Sequence, residues 1–134
     1  MKKVLTFGVY DILHLGHINL FRNAKALGDC LIVAVQDGNL VKKYKPEAKI
    51  VNTTDERLIM VASIRYVDVV VVYRDVDEDI KNIEFDVFVK GADQNHAGFQ
   101  RAVAWCRLNG KAVVTIPRTE GISSTFLRNF LDKV

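Results

Sequence analysis

Apolar residues form five short runs along the chain, and stretches with helical spacing separate them. The runs are rich in β-branched residues and apolar at successive positions, as in Val69-Val70-Val71-Val72. This pattern is typical of strands that are buried on both faces of a parallel sheet. The predicted strands cover residues 4–8, 31–36, 68–73, 86–90 and 112–116.

Between these runs, apolar residues recur every three or four positions, as Leu20, Phe21, Ala24 and Leu27 do, which predicts amphipathic helices. The predicted helices cover residues 17–27, 54–64, 95–108 and 124–131, with a short helix near 77–82. The alternation predicts one domain, residues 1–134, of the α/β class: a doubly wound, Rossmann-like, five-stranded parallel sheet with helices on both faces. Residues 37–53 are predicted to form a long, lysine-rich loop.

Composition narrows the function classes. The chain has 134 residues, 49% of them hydrophobic, and a formal net charge of +3. This mild basic excess suits an anionic small molecule, and without a basic run it does not indicate nucleic acid. No run reaches the roughly eighteen apolar residues of a membrane span, and no signal-peptide cleavage site follows the first strand. We therefore expect a cytoplasmic protein, with Cys30 and Cys106 as reduced, largely buried thiols.

Two histidines, His14 and His17, stand three positions apart where the first strand gives way to the first helix. This spacing predicts two imidazoles on one face of the first helical turn. The start of a helix has free N–H groups and the positive end of the helix dipole, and Gly16 leaves room for a ligand near the backbone. The segment therefore predicts a phosphate site.

Other unusual residues follow the remaining strands. They are the lysine-rich loop, then Gly91-Ala92-Asp93, and then residues 117–125 with Arg118 and a cluster of hydroxyl groups. Ligands bind at the carboxyl ends of parallel strands, so we expect all these segments at one edge of the sheet. Ser123 or Ser124 fits a helix N-cap. Two interpretations of the segment remain: a second phosphate-binding site at the start of this helix, or a plain helix cap beside an exposed arginine.

With His14-Leu15-Gly16-His17 and the segment 118–125 both present, the chain resembles the small nucleotidyltransferases with the HxGH signature, and among them the glycerol-3-phosphate cytidylyltransferases. The resemblance covers nearly the whole chain. It implies that a phosphate monoester attacks the α-phosphate of a nucleoside triphosphate and that pyrophosphate leaves. The implied substrates are CTP and a small phosphorylated alcohol, of which glycerol 3-phosphate is the first candidate. The resemblance also implies Mg²⁺, held mainly by the nucleotide phosphates, and a homodimer.

Alternatives remain open at this point. The chain is also compatible with an adenylyltransferase for a sugar phosphate or a cofactor precursor, and with a nucleotide-binding protein without catalysis. Ethanolamine phosphate or a sugar phosphate is an alternative acceptor. No membrane or nucleic-acid partner and no dedicated metal ligand is expected.

The resemblance implies three groups of site residues. The catalytic group is His14, His17, Lys45, Arg118, Ser123 and Ser124. The nucleotide-binding group is Thr6, Phe7, Gly8, Asp11, Gly16, Asp93, Thr119, Gly121, Ile122 and Thr125. The substrate-binding group is Lys42, Arg57 and Arg65.

Several of these residues also have a purely structural interpretation. Asp11 either orients a backbone amide or histidine or forms a turn, and Asp93 is either near the nucleotide or a helix cap. Arg65 ends a helix, where a cation is favourable without any ligand. Trp105 is predicted in the core or an interface, and His96 has no predicted partner.

Overall fold

The sheet has five parallel strands, as predicted. The computed structural model describes residues 1–44, 47, 49–121 and 124–132. The strands are β1 (Lys3–Gly8), β2 (Cys30–Gln36), β3 (Val69–Tyr73), β4 (Val87–Gly91) and β5 (Ala112–Ile116). They pair in the order β3-β2-β1-β4-β5. The chain therefore winds to one side of β1 with β2 and β3 and to the other side with β4 and β5.

Six α-helices connect or follow these strands in the described part of the chain. They are α1 (Leu15–Lys25), α2 (Gly38–Tyr44), α3 (Thr54–Ala62), α4 (Val76–Asp79), α5 (Ala97–Leu108) and α6 (Ser124–Asp132), and a 3₁₀ turn, Ile80–Asn82, follows α4. The helix α3 begins with a capping box, in which Glu56 N donates to Thr53 Oγ1 at 3.1 Å and Thr53 N donates to Glu56 Oε1 at 2.8 Å.

The prediction that residues 37–53 form a loop is wrong for their first half, which is the helix α2. Leu40 and Val41 are buried, so this helix has an apolar face that packs on the protein. Asp37 Oδ1 accepts a hydrogen bond from Asn39 N at 2.9 Å at the start of the helix. The lysines that suggested a loop follow this short apolar pair in the sequence.

The two faces of the sheet are covered by different helices. Residues from α4 and α5 pack on one face with Leu5, Phe7 and Phe88. Residues from α1 and α3 pack on the other face with Val4 and Val33. This confirms helices on both faces, and it explains why adjacent positions of the strands are apolar.

Trp105 is half-buried against the first of these clusters, as predicted for a core residue. Both cysteines are free; Cys106 is buried and Cys30 is half-buried. None of the helices in the described part of the chain has the length and the apolar composition that crossing a membrane requires.

The winding direction reverses between β1 and β4, and in sheets of this kind ligands bind in the crevice at that point. Gln94 bridges the two strands there. Its Nε2 donates to the carbonyl of Phe7 at 2.7 Å, and its Oε1 accepts from Gly91 N at 2.9 Å. The side chain thereby fixes the spacing of the two strand ends that form the floor of the crevice.

Candidate active site

A cavity of about 1140 Å³ lies over the carboxyl ends of the strands. Nine residues that sequence reasoning selected line it and are brought together from the loops after β1, β4 and β5: Gly8, Asp11, His14, Gly16, His17, Asp93, Arg118, Thr119 and Thr125. The segments that the sequence predicts at one edge of the sheet therefore do share one cavity.

The two histidines are locked by the backbone of their own turn. His14 is the N-cap of α1, and its Nδ1 accepts a hydrogen bond from Gly16 N at 3.0 Å. The Nδ1 of His17 accepts from His14 N at 3.2 Å, and the two rings have centroids 4.0 Å apart. A neutral imidazole that accepts at Nδ1 carries its proton on Nε2. Both side chains are therefore fixed as Nε2–H donors.

The surroundings keep both imidazoles neutral. Burial, and to a smaller extent the neighbouring His14, lower the pKa of His17 to about 4. Burial, and then the positive charge of Arg118, lower the pKa of His14. At neutral pH the pair can donate two hydrogen bonds to an anionic oxygen without titrating.

Tyr10 supports His17 from behind. Its backbone has a φ of 54°, in the left-handed region that a tyrosine rarely adopts. The ring lies against Gly8, where an added Cβ would be 2.5 Å from the Tyr10 Cζ. The same ring meets the His17 imidazole edge-on, with centroids 5.5 Å apart. Gly8 therefore acts by leaving space for an aromatic ring, a role that no local sequence pattern indicates.

Thr6 and Phe7 do not line the cavity, in contrast to the predicted nucleotide contacts. Both side chains are fully buried in the body of the sheet. The Phe7 ring packs edge-on against Tyr73 and Phe88. The reason is the pleat of the strand, which directs side chains toward the helices on the two faces rather than toward the strand end.

Arg57 also differs from the prediction of a substrate contact, because its guanidinium is fully buried below the cavity. Its Nη1 donates to the carbonyls of Val9 at 2.9 Å and Gln36 at 2.8 Å. Its Nε donates to the carbonyl of Asn52 at 3.3 Å, and its Nη2 to Thr54 Oγ1 at 3.1 Å. The side chain thus holds together the ends of β1 and β2 and the start of α3.

Asp11 orients backbone amides, which is one of its two sequence interpretations. Its carboxylate accepts hydrogen bonds from the backbone N–H groups of Val51 and Asn52, each at 2.8 Å. The Asn52 side chain in turn donates to the Asp11 carbonyl at 2.6 Å. The loop with the two histidines is therefore joined to the end of the segment that follows α2. In that segment Lys49, which sequence reasoning did not single out, lines the cavity.

Arg65 is far from this arrangement in the fold. It is exposed in the turn between α3 and β3, at the amino end of the strand, whereas the cavity lies at the carboxyl ends. The predicted substrate contact therefore has no support from its position. The interaction with a helix end is not seen either, because α3 ends at Ala62 and has no basic residue in its last turn.

Asn19 is a further residue that sequence reasoning missed. From the second turn of α1, its Nδ2 donates to Thr119 Oγ1 at 3.1 Å and so connects the histidine-bearing helix to the loop after β5. An asparagine in a helix gives no sign of such a contact in the sequence.

The remaining predicted residues are described only in part. Gly121 is an exposed turn residue with a φ of 78°, which favours glycine. Lys42 is part of α2, and Ser124 is the first residue of α6. Lys45, Ile122 and Ser123 lie outside the described residues, so their roles stay predictions.

The fold and the paired imidazoles define an α/β protein with a phosphate-binding site at the carboxyl edge of its sheet. The model of the cytidylyltransferase-like family matches residues 5–130, and the chain belongs to that family. It is 39% identical over 131 residues to the glycerol-3-phosphate cytidylyltransferase of Bacillus subtilis (strain 168), a match that covers 96% of this chain and 95% of the relative.

Two more comparisons agree with this assignment. The glycerol-3-phosphate cytidylyltransferase of Staphylococcus aureus (strain NCTC 8325 / PS 47) is 38% identical over 136 residues, covering 98% of this chain and 96% of that protein. The solved structure of a lipopolysaccharide core biosynthesis protein from Thermoplasma volcanium GSS1 superimposes with a TM-score of 0.76 at 27% identity, covering 90% of this chain and 99% of that one.

Proposed function

We propose that this protein transfers the cytidylyl group of CTP to glycerol 3-phosphate, giving the CDP-alcohol and pyrophosphate. The structural observation that carries the proposal is the pair of neutral imidazoles fixed as Nε2–H donors at the start of α1. The choice of substrates is supported by two relatives named glycerol-3-phosphate cytidylyltransferase, which match over nearly the full length of both chains.

In the proposed reaction, an oxygen of the acceptor phosphate forms a bond to the α-phosphorus of CTP. The bond from that phosphorus to the bridging oxygen of the β-phosphate breaks, and the electron pair leaves with pyrophosphate. The acceptor is already an anionic nucleophile, so no side chain has to attack. The protein contributes position and charge stabilisation.

His14 and His17 supply that stabilisation. Their Nε2–H groups donate to phosphate oxygens as negative charge increases, and a neutral donor with a low pKa does not lose its hydrogen bond by titrating at neutral pH. Because Nδ1 of each ring is already held, little reorganisation accompanies the reaction. Arg118 lines the same cavity and adds a fixed positive charge near His14.

Mg²⁺ enters this proposal as an ion that the phosphates of CTP bring into the cavity. Mg²⁺ keeps several of its waters and is usually bound by one or two carboxylates together with substrate phosphates. Asp93 lines the cavity and would supply a carboxylate for such a contact. When bound, the ion would neutralise part of the triphosphate charge.

We further propose a homodimer formed by the surface of α3 and β3. The strand β3 is at an edge of the sheet, and Val69 and Val72 are exposed on it. Ile59 and Met60 are exposed on α3, which packs beside this strand. An exposed apolar edge strand is a pairing surface, and a second copy would cover it.

Light scattering tests this dimer. It should give twice the chain mass for the wild type and one chain mass for Val72→Lys, and a monomeric wild type would refute the dimer.

A cytoplasmic location fits this function, because CTP is a nucleotide of the cell interior and both cysteines are free thiols. We also propose that the CDP-alcohol is a precursor for cell-surface polysaccharides, because it is an activated form of a polyol phosphate that a transferase can consume.

The function is tested by measuring pyrophosphate release with CTP or ATP against glycerol 3-phosphate, ethanolamine phosphate and sugar phosphates. We expect release with CTP and glycerol 3-phosphate, and its loss in His14→Ala. Release with ATP and a sugar phosphate, but not with CTP, would instead identify an adenylyltransferase.

A further inference from the structure

The cavity extends beyond the histidine pair to a second polar wall. The segment after β3 contributes Arg74 and Asp77 to this wall, and the first turns of α5 contribute His96 and Arg101. Ligand pockets typically measure roughly 300–1,000 Å³, so a cavity of about 1140 Å³ has room for more than one small ligand. None of the motifs assigned to the nucleotide lies on this wall.

His96 repeats the local geometry of the catalytic turn. It is the N-cap of α5, and its Nδ1 accepts from Gly98 N at 3.1 Å, as the Nδ1 of His14 accepts from Gly16 N at 3.0 Å. In both turns the imidazole lies close to the glycine: an added Cβ would be 2.7 Å from the imidazole Cε1 at Gly16, and 3.0 Å from it, a tight contact, at Gly98. A neutral His96 therefore also carries its proton on Nε2.

Arg101 is joined to Asp77 by a contact between the helices α5 and α4. Its Nε donates to Asp77 Oδ2 at 2.6 Å. The Asp77 side chain is only 19% exposed, whereas the Arg101 side chain is 63% exposed. This hydrogen bond lowers the pKa of Asp77, so the carboxylate stays charged and remains a partner for the guanidinium. The wall thus presents a guanidinium and an imidazole to the same cavity.

The position of the wall indicates which substrate it meets. The nucleotide motifs follow β4 and β5 in Asp93, Arg118 and Thr119, and the histidine pair sits at α1. The entering and leaving oxygens of the transfer are roughly in line on opposite sides of the α-phosphorus. The acceptor therefore needs polar contacts of its own, on the opposite side of the α-phosphorus from the groups that hold the leaving pyrophosphate.

We propose that His96 and Arg101 bind the acceptor, a small phosphorylated polyol, while Asp93 and the loops after β1 and β5 bind CTP. Imidazole and guanidinium N–H groups suit the phosphate and hydroxyl oxygens of such a compound. The inference rests on the proposed function and adds the location of its second substrate.

The test is steady-state kinetics in which glycerol 3-phosphate is varied at saturating CTP, and then CTP at saturating glycerol 3-phosphate. The variants are Arg101→Gln and His96→Asn. Asparagine is a favoured N-cap, so His96→Asn keeps α5 capped while it removes the Nε2–H donor. Arg107→Gln is the matched control, because Arg107 is exposed near the end of α5, outside the cavity lining.

We expect each test variant to raise the KM for glycerol 3-phosphate about tenfold or more, as the loss of one charge-assisted hydrogen bond does. The KM for CTP should change by less than about twofold, as in the control. The variants should melt at the same temperature as the wild type. In calorimetry with CTP present, under conditions that prevent turnover, they should bind glycerol 3-phosphate correspondingly more weakly.

The proposal is overturned if His96→Asn and Arg101→Gln leave the KM for the acceptor unchanged, or if they raise the KM for CTP instead. Failure of the underlying function looks different. In that case the wild-type protein itself releases no pyrophosphate from CTP with any acceptor of the panel.

Discussion

The Nδ1 of His17 accepts a hydrogen bond from the backbone N–H of His14 at 3.2 Å. One histidine therefore sets the proton position of the other, because a ring that accepts at Nδ1 donates at Nε2. The same turn that starts the helix also sets the chemistry of the site. This coupling makes the pair sensitive to substitutions that keep polarity but change geometry.

Replacing His17 by alanine should lower kcat by about 10²–10³-fold, the usual effect of removing one preorganised donor. The KM for CTP should change much less, because the donor acts mainly as charge develops. Pyrophosphate release measures both constants. Equal losses in kcat for His17→Ala and for a replacement of the exposed Leu15 would argue against a specific role.

The pKa of His17, lowered to about 4, predicts how stability depends on pH. The unfolded chain has the ordinary value of 6.5, so between these values it binds more protons than the folded protein. The contribution of neutral His17 is therefore complete above pH 6.5 and is lost as the pH falls toward 4. Urea unfolding at pH 7 and pH 5 should show a smaller difference in His17→Gln than in the wild type, and an NMR titration of His17 near 6.5 would contradict the prediction.

Gly8→Ala should damage both stability and catalysis, because the new Cβ would meet the Tyr10 ring at 2.5 Å and press it toward His17. Overpacking of this kind costs about 1–3 kcal/mol. Gly110→Ala is a control without such an overlap: its φ of 70° strains an alanine, but nothing lies within 4 Å of the new atom. We expect kcat to fall in Gly8→Ala alone, and Tyr10→Phe to retain kcat because it keeps the ring.

Asp11→Asn should free the segment after α2 from the histidine loop. A carboxylate accepts from both Val51 N and Asn52 N, whereas an amide places one oxygen and one NH₂ group there. A backbone N–H without its acceptor costs about 1–3 kcal/mol. Hydrogen exchange should speed up at the amides of Val51 and Asn52, and unchanged protection of both would refute this role for Asp11.

The sheet and the histidine pair could be predicted from the sequence because both depend on local patterns. Strand composition marks β1 to β5, and the spacing of His14 and His17 alone places them on one helical turn. The different locations of Arg57 and Arg65 could not be predicted, because in the sequence both are arginines near the end of a predicted helix. Only the packing of three segments shows that one is enclosed by carbonyls and that the other lies at the far edge of the sheet.

Two other differences have equally physical causes. The helix α2 was not predicted because, among its side chains that the structure describes, just two adjacent ones, Leu40 and Val41, form a buried apolar face. The sequence did not indicate a partner for His96. Its similarity to His14, an imidazole that caps a helix through Nδ1, becomes visible only in the structure, where the two turns lie at helices on opposite faces of the sheet.

The buried guanidinium of Arg57 also has a consequence for how the protein folds. Its acceptors on Val9 and Gln36 lie 48 and 21 residues away in the chain. Bringing such distant groups together costs loop-closure entropy before any contact stabilises them. The carbonyl of Val9, at the start of the histidine loop, therefore has its Arg57 donor only while β1, β2 and α3 are packed together, and any opening of α3 removes this contact from the loop.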